Sequence, residues 1–382
     1  MPNLAPFEKC TGCYACYNAC NHQAISMQAV DAIGHLYPVV DSTKCVDCKM
    51  CEKSCPVVKP IPVQQAACAF AAWAIDEDEN KASTSGAVAS CLSKYVLEQK
   101  GVVYGCANEG CEIRHIRINN IKDVELLRGS KYVRSEIGLL YQQIKNDLRN
   151  EKIVLFVGTP CQVAGLKAYI RNTKYNDRLI TADLICHGTP SHQFLMEHVG
   201  TIVKPSDIKS IFFRDQGSYV LRLVNKEGRI VYDKNYWKQR YSDDYMVTFM
   251  KGYSYRESCY TCPYAKPQRC SDITLGDFWG LGKDIPFKSE YKDFGISVVL
   301  PNTEKGQSIV DKLSDRLHLV ERPIEEAIKG NDQLKAPKRK NLTAMVFRKV
   351  YTKGLSISKS LLISDFLFIP LFWIREKIKG NR

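Results

Sequence analysis

Cys10-Thr-Gly-Cys13-Tyr-Ala-Cys16-Tyr-Asn-Ala-Cys20 and, 35 residues on, Cys45-Val-Asp-Cys48-Lys-Met-Cys51-Glu-Lys-Ser-Cys55-Pro56 are two copies of one pattern. Each copy separates three cysteines by two intervening residues and sets a fourth after three more. Three thiols on one tight loop grip three corners of an iron–sulfur cube, and the last cysteine of the other copy takes the fourth corner. The expected ligands are therefore Cys10, Cys13, Cys16 and Cys55 for one 4Fe-4S cluster, and Cys45, Cys48, Cys51 and Cys20 for a second. Structural zinc is the competing chemistry, but its sites present two cysteine pairs a dozen or more residues apart, not four thiols crowded into one short run. Asn21 stands where the second copy has Pro56, a change that touches the turn more than the ligation.

Working outward, Ala24–Met27 and Tyr37–Val40 read as two short strands with Gly34 near the turn. Lys59-Pro60-Ile61-Pro62 reads as a stiff linker. A small ferredoxin-like two-cluster domain is expected over residues 1–62. The nine residues before Cys10 are too few for a secretory signal, so a cytoplasmic setting is expected, in which clustered thiols stay reduced and bind metal.

The whole chain has 382 residues, 45% hydrophobic and 25% charged, with 17 cysteines. That length suits two or three domains, and the balance excludes wholesale disorder, a collagen-like repeat and a polytopic membrane protein. The formal charge of +13 is concentrated at one end. Residues 333–382 hold twelve Lys and Arg against Asp365 and Glu376, a net +10, which leaves a near-neutral body. Such a distribution favours contact with an anionic membrane surface or an acidic partner and argues against nucleic acid. Within this basic tail, the apolar run at 361–374 is interrupted by Asp365 and Pro370 and is too short to span a bilayer. It suits a helix lying in a membrane interface, through peripheral contact at the inner face, or one docked on its own domain.

From about residue 66 strand and helix signals alternate. Ala66–Ala74, Val102–Ala107, Lys152–Gly158, Leu179–Cys186 and Ser297–Leu300 read as strands; Ala87–Gln99, Ile137–Leu148, Gln162–Ile170, His192–Val203 and Glu304–Leu313 read as helices. This alternation predicts an α/β body of parallel strands with crossover helices. Ile211–Arg214, Tyr219–Asn225 and Ile230–Asp233 add an antiparallel layer, making the chain α+β overall.

A third thiol group, Cys259-x2-Cys262-x7-Cys270, follows much later, with Cys161 and Cys186 isolated upstream at the ends of two strands. Parallel strands end on one edge, where ligands gather, so Cys161 and Cys186 could meet the Cys259 and Cys262 pair. Buried structural cysteines are the other reading, and Cys270 competes as fourth ligand. Cys68, Cys91, Cys106 and Cys111 have no spacing that singles them out. Three short stretches suit a phosphate-bearing or flat cofactor: Ser83-Thr84-Ser85-Gly86-Ala87 before a helix, Gly158-Thr159-Pro160-Cys161-Gln162 between strand and helix, and Arg128-Gly129-Ser130-Lys131-Tyr132 with its cation and ring. Neither G-x-G-x-x-G nor a Walker motif is present, so Rossmann-type dinucleotide binding and ATP hydrolysis are not supported.

Taken in order, Thr84-Ser85-Gly86, Gly129-Ser130-Lys131-Tyr132, Gly158-Thr159-Pro160-Cys161-Gln162, Ile185-Cys186-His187-Gly188, Cys259-x2-Cys262 and Asp272-Ile273-x2-Gly276-Asp277 resemble the beta-subunit family of coenzyme F420-reducing hydrogenase and dehydrogenase, in its bacterial form with a fused ferredoxin domain. The resemblance implies an FAD domain in two parts, 66–150 and 151–332, followed by the tail at 333–382. It implies FAD held by Thr84, Ser85, Gly86, Ser130, Lys131, Tyr132, Thr159 and Gln162. It also implies a third 4Fe-4S cluster on Cys161, Cys186, Cys259 and Cys262, in preference to Cys270. Ala87 stands where a second glycine is common in the family. The implied activity is an iron–sulfur flavoprotein oxidoreductase exchanging electrons with a redox carrier or partner protein and a soluble substrate or deazaflavin-like carrier. The alternative is a non-catalytic electron-transfer subunit of a larger redox complex. No residue stands out as a catalytic acid or base.

Overall fold

The computed structural model describes residues 1–171, 173–215, 217–238, 243–288 and 295–366. The 35-residue repeat recurs in the backbone. Gly12 and Tyr14 in the first copy, and Asp47 and Lys49 in the second, all have positive φ, so each cysteine loop winds around a hollow before a short helix, Ala15–Ala19 or Met50–Lys53. Between the copies, β1 (Ile25–Ala29) and β2 (Leu36–Val40) pair antiparallel, as their sequence spacing predicts.

The expected linker is pinned to the body. The Lys59 carbonyl accepts a 2.6 Å bond from Arg171, and Gln64 exchanges backbone bonds with Arg269. His35 Nε2 lies 3.2 Å from the Thr189 carbonyl, and Asn18 Nδ2 donates to Gly138 O at 2.8 Å. The cysteine repeat and its linker are thus tied to the body at several points.

The body is built on an eight-stranded mixed sheet. Its strands are β3 (Ala69–Ala74), β4 (Val102–Glu109), β5 (Glu112–Ile118), β6 (Val154–Gly158), β7 (Leu179–Leu184), β11 (Ile273–Asp277), β12 (Ser297–Pro301) and β13 (Leu317–Arg322), in spatial order β13-β3-β12-β11-β7-β6-β4-β5. Val154, Leu155 and Phe156 of β6 are all sealed from solvent, as befits a central strand covered on both faces. Only β4, β6, β7 and β11 run parallel; β3 pairs antiparallel with β12 and β13, and β5 with β4. The all-parallel expectation is therefore corrected at both edges of the sheet. At the β5 edge the short connection at Gly110 turns the chain back without a crossover helix, whereas at the other edge β3 lies between β12 and β13, which are joined through the helix Glu304–Asp311 and both run antiparallel to it.

A second layer, β8 (Ile208–Asp215), β9 (Ser218–Asn225) and β10 (Ile230–Asn235), is antiparallel as expected. It shares a core with helices 192–200 and 244–251 that includes Phe194, Phe213 and Tyr245. The helices Leu342–Tyr351 and Ile357–Phe366 pack into the same core through Phe347 and Leu361, and Lys251 binds Asp365 at 2.6 Å. That much of the tail docks on its own domain. The remainder of the apolar run, and the basic residues after it, lie outside the described residues. No described helix is long and apolar enough to cross a membrane.

Candidate functional site: three thiol cavities and a cleft

Because β6, β7 and β11 are parallel, their carboxyl ends meet on one edge of the sheet. Cys161 follows β6 in the first turn of the helix Pro160–Ile170, and Cys186 lies two residues beyond the end of β7 instead of closing it. The segment Glu257–Thr261 delivers Cys259 to the same edge, with Cys262 directly after it.

Every expected cluster ligand lies at a small hollow. Cys10, Cys13, Cys16 and Cys55 line one cavity, and Cys20, Cys45, Cys48 and Cys51 line a second. Cys161, Cys186, Cys259 and Cys262 line a third, of about 30 Å³. All 17 cysteines are free of disulfides. In each hollow four thiols surround a void, and among the described residues no three His, Cys, Asp or Glu side chains converge as ligands of a single metal ion would. The donor set fits a thiolate-bound cube. Burial pushes the thiols of Cys13 and Cys186 up to about 12, with neighbouring thiols adding to it. Thiolates there need a cationic core beside them. Cys161 is the exception: burial raises it, but Arg134 and the hydroxyl of Thr159 more than offset this and hold it below the ordinary thiol value.

Cys270 does not line the third hollow. It is 3% exposed, with its sulfur 3.8 Å from the Pro160 carbonyl in an apolar cluster.

The fourth cavity is a cleft of about 340 Å³ along the same sheet edge, within the size range of cofactor sites. Thr84 and Ser85 form one wall, Ser130, Lys131 and Tyr132 another, and Thr159 and Gln162 a third. Gly86 is not in the lining. It sits behind the wall against β3, where a Cβ would stand 2.0 Å from the Ala72 carbonyl. Ala87, where the resemblance has glycine, takes φ +62° and caps the helix Val88–Glu98.

Several of these side chains are already engaged. Lys131 directs its ammonium at the carbonyls of Cys106, Leu127 and Arg128, at 2.9, 3.0 and 2.7 Å, so it staples the loop that forms the wall. Gln162, fully buried, accepts from the Thr159 N–H and hydroxyl, both at 2.9 Å, and donates to Ser135 Oγ at 3.0 Å. Tyr132 stacks on Phe249 and Tyr219, with ring centroids 4.7 and 5.4 Å away, and accepts from Arg214. Thr84, Ser85 and Ser130 add hydroxyls to the cleft lining, with the Thr84 and Ser130 oxygens 3.3 Å apart.

Sequence spacing did not reveal three groups at this edge. His115, held between Ser135 Oγ and the Val157 carbonyl, lies in the cleft wall; burial lowers its pKa to about 3 and keeps it neutral. Arg134 and Arg256 line the third hollow. None of them belongs to a spaced motif; Arg134 follows Tyr132 by two residues, and that proximity was the only signal.

The cavities adjoin one another. The helix Ala15–Ala19 separates the second from the first, Thr11 lines both the first and the third, and Cys186 through Thr189 line both the third and the cleft.

Comparison with known proteins follows this division. Residues 9–58 match the 4Fe-4S dicluster domain, and residues 151–327 match the C-terminal region of the coenzyme F420 hydrogenase/dehydrogenase beta subunit. No curated protein matches the chain. Among solved structures, a chain of the F420-reducing [NiFe] hydrogenase complex from Methanosarcina barkeri is similar at 18% identity and a TM-score of 0.48, over 78% of this chain and 91% of that one. The chain thus joins a two-cluster iron–sulfur domain near its N-terminus to a region, residues 151–327, that matches the C-terminal part of the coenzyme F420 hydrogenase/dehydrogenase beta subunit.

Proposed function

We propose that the protein is an iron–sulfur flavoprotein oxidoreductase: two ferredoxin-type 4Fe-4S clusters at the cysteine repeat, a third on Cys161, Cys186, Cys259 and Cys262, and FAD in the cleft. The observation that carries this reading is the continuity of the cavities through Thr11 and through Cys186 to Thr189. When bound, a flavin exchanges two electrons with an organic substrate and releases them singly, whereas iron–sulfur clusters carry one at a time.

The chain's own residues order and seal that path. Arg256 and Arg134 tie the Cys10–Cys13 loop to the third hollow. Gln162 and Lys131 hold the turns on which Thr159 and Ser130 are presented to the cleft. The match of residues 151–327 to the beta-subunit family supports a redox partner protein or soluble carrier as the electron source or sink.

Iron and flavin content of anaerobically purified protein, with its absorption spectrum, tests the reading. About 12 iron atoms and one FAD per chain are expected from three cubes. About eight irons without flavin would overturn it in favour of a non-catalytic electron-transfer subunit.

A further inference from the structure

Two arginines stand between the first and third thiol hollows. Arg134 donates from Nη1 to Sγ of Cys161 at 3.2 Å and to Thr159 Oγ1 at 3.5 Å, and from Nη2 to the Gly12 carbonyl at 2.7 Å. Arg256, only 2% exposed, donates from Nε to the Cys10 carbonyl at 2.6 Å and from Nη1 to the Leu36 carbonyl at 2.9 Å. Its Nη2 lies 3.6 Å from Cys10 Sγ, and its guanidinium lies 3.8 Å over the Tyr37 ring. Gly12 makes room for it: φ there is +59°, and a Cβ would stand 2.7 Å from Arg256 Nη1.

The charge balance is uneven. Arg269, the third arginine at this hollow, is neutralised by Asp183. The hydrogen bonds of Arg134 and Arg256 go to carbonyls, a hydroxyl and thiols, and among the described residues neither has a carboxylate ion pair. A cation withdrawn from water without a carboxylate requires another anion. The anions within reach are the thiolates of the two sites. Net charge and N–H···S bonds are among the factors that set the potential of an iron–sulfur cluster.

We propose that Arg134 and Arg256 are positioning residues that set reduction potentials, Arg134 for the cluster on Cys161, Cys186, Cys259 and Cys262, and Arg256 for the cluster on Cys10, Cys13, Cys16 and Cys55. The inference rests on the ligand sets proposed above. Reduction of a cube adds one electron and breaks no bond, so a fixed cation stabilises the reduced form more than the oxidised form and raises the potential. Arg134 touches both sites, and its charge also offsets the repulsion between two neighbouring reduced cubes.

The test is a redox titration followed by electron paramagnetic resonance, on anaerobic full-length protein with iron content measured in parallel. Cys161→Ser identifies the third cluster's signal by its loss. Arg134→Gln is expected to shift that signal to lower potential at unchanged iron content, Arg134→Lys to stay near wild type, and Arg256→Gln to lower the first cluster's potential. Unchanged potentials in both glutamine variants at full iron content overturn the proposal and leave the functional reading standing. If Arg134→Gln sheds the third cluster, Arg134→Lys decides: retention near the wild-type potential supports a charge effect, and loss in both variants overturns it. About eight irons in wild type would remove the third ligand set itself, and the Arg134 half of the proposal with it, while the Arg256 measurement would still decide the other half.

Discussion

Arg269 and Asp183 form an ion pair sealed from solvent beneath the third thiol hollow, with Nη2 3.0 Å from Oδ1 and side-chain exposures of 1% and 0%. Asp183 is the penultimate residue of β7 and also accepts from Thr274 Oγ1 at 2.7 Å, so it joins β7 to β11 where the two strands deliver their ends. Asp183→Asn leaves the guanidinium without its counter-charge. Removing one partner of a buried pair costs about 3–5 kcal/mol, and a corresponding drop in the urea midpoint is the expected outcome. An unchanged midpoint would show that the pair contributes nothing net.

Replacement of single cysteines separates ligands from bystanders. Cys161→Ser and Cys262→Ser are each expected to lower iron content by about four atoms, the complement of one cube. Cys270→Ser, which alters a thiol outside the hollow, is expected to leave iron content unchanged. Loss of iron from the Cys270 variant would reopen the choice of fourth ligand.

Gln162 is expected to act on flavin binding through Thr159. Gln162→Ala removes two acceptor contacts at the Thr159 turn and leaves Ser135 short of a donor. Losing buried hydrogen bonds of this kind costs about 1–3 kcal/mol. Lower thermal stability together with weaker FAD retention on gel filtration is the expected pair of results. Normal retention would show that the turn does not shape the cofactor site.

His115 makes stability depend on pH in a defined window. Its folded pKa of about 3 lies below the ordinary 6.5 because burial disfavours the charged ring. The unfolded chain therefore binds a proton that the folded chain does not, and stability falls as pH drops below about 6.5, continuing toward 3. Between pH 7.5 and 5.5 this amounts to about 1 kcal/mol. His115→Gln should remove that component, as read from urea midpoints at the two pH values. His35, whose pKa burial also lowers, is present in both proteins and cancels.

A cut after residue 366 probes membrane contact while keeping every described residue of the C-terminal helices. Ile357 and Leu361 are buried in the body, so a longer deletion would expose their neighbours. Residues 367–382 carry Trp373, Arg375, Lys377, Lys379 and Arg382, a composition suited to an anionic interface. Their removal is expected to abolish binding to anionic lipid vesicles. Equal binding by the full and shortened proteins would exclude the segment as an anchor.

Much of this organisation was legible in residue order because its determinants are local. The cysteine repeat needs only spacing, and its period returns in the positive φ angles of Gly12 and Asp47 and of Tyr14 and Lys49. Continuous apolar runs such as Val154–Gly158 announce buried strands. The edges of the sheet were less legible, since a strand such as β3 carries no mark of whether its neighbours run with or against it.

Sequence alone determined which residues are chemically able to act: the eight spaced thiols of the repeat, a later thiol group at 259–270, three hydroxyl-bearing turns and a basic end. Tertiary structure alone decided how they combine. It excluded Cys270 from the third hollow, moved Gly86 behind the cleft wall, consumed the Lys131 ammonium on three carbonyls, and brought Arg134 and Arg256 between two thiol sites. The placing of the two arginines depends on contacts between segments more than a hundred residues apart, Gly12 with Arg134 and Cys10 with Arg256. Local spacing carries no information about such contacts, because packing of the whole chain selects them.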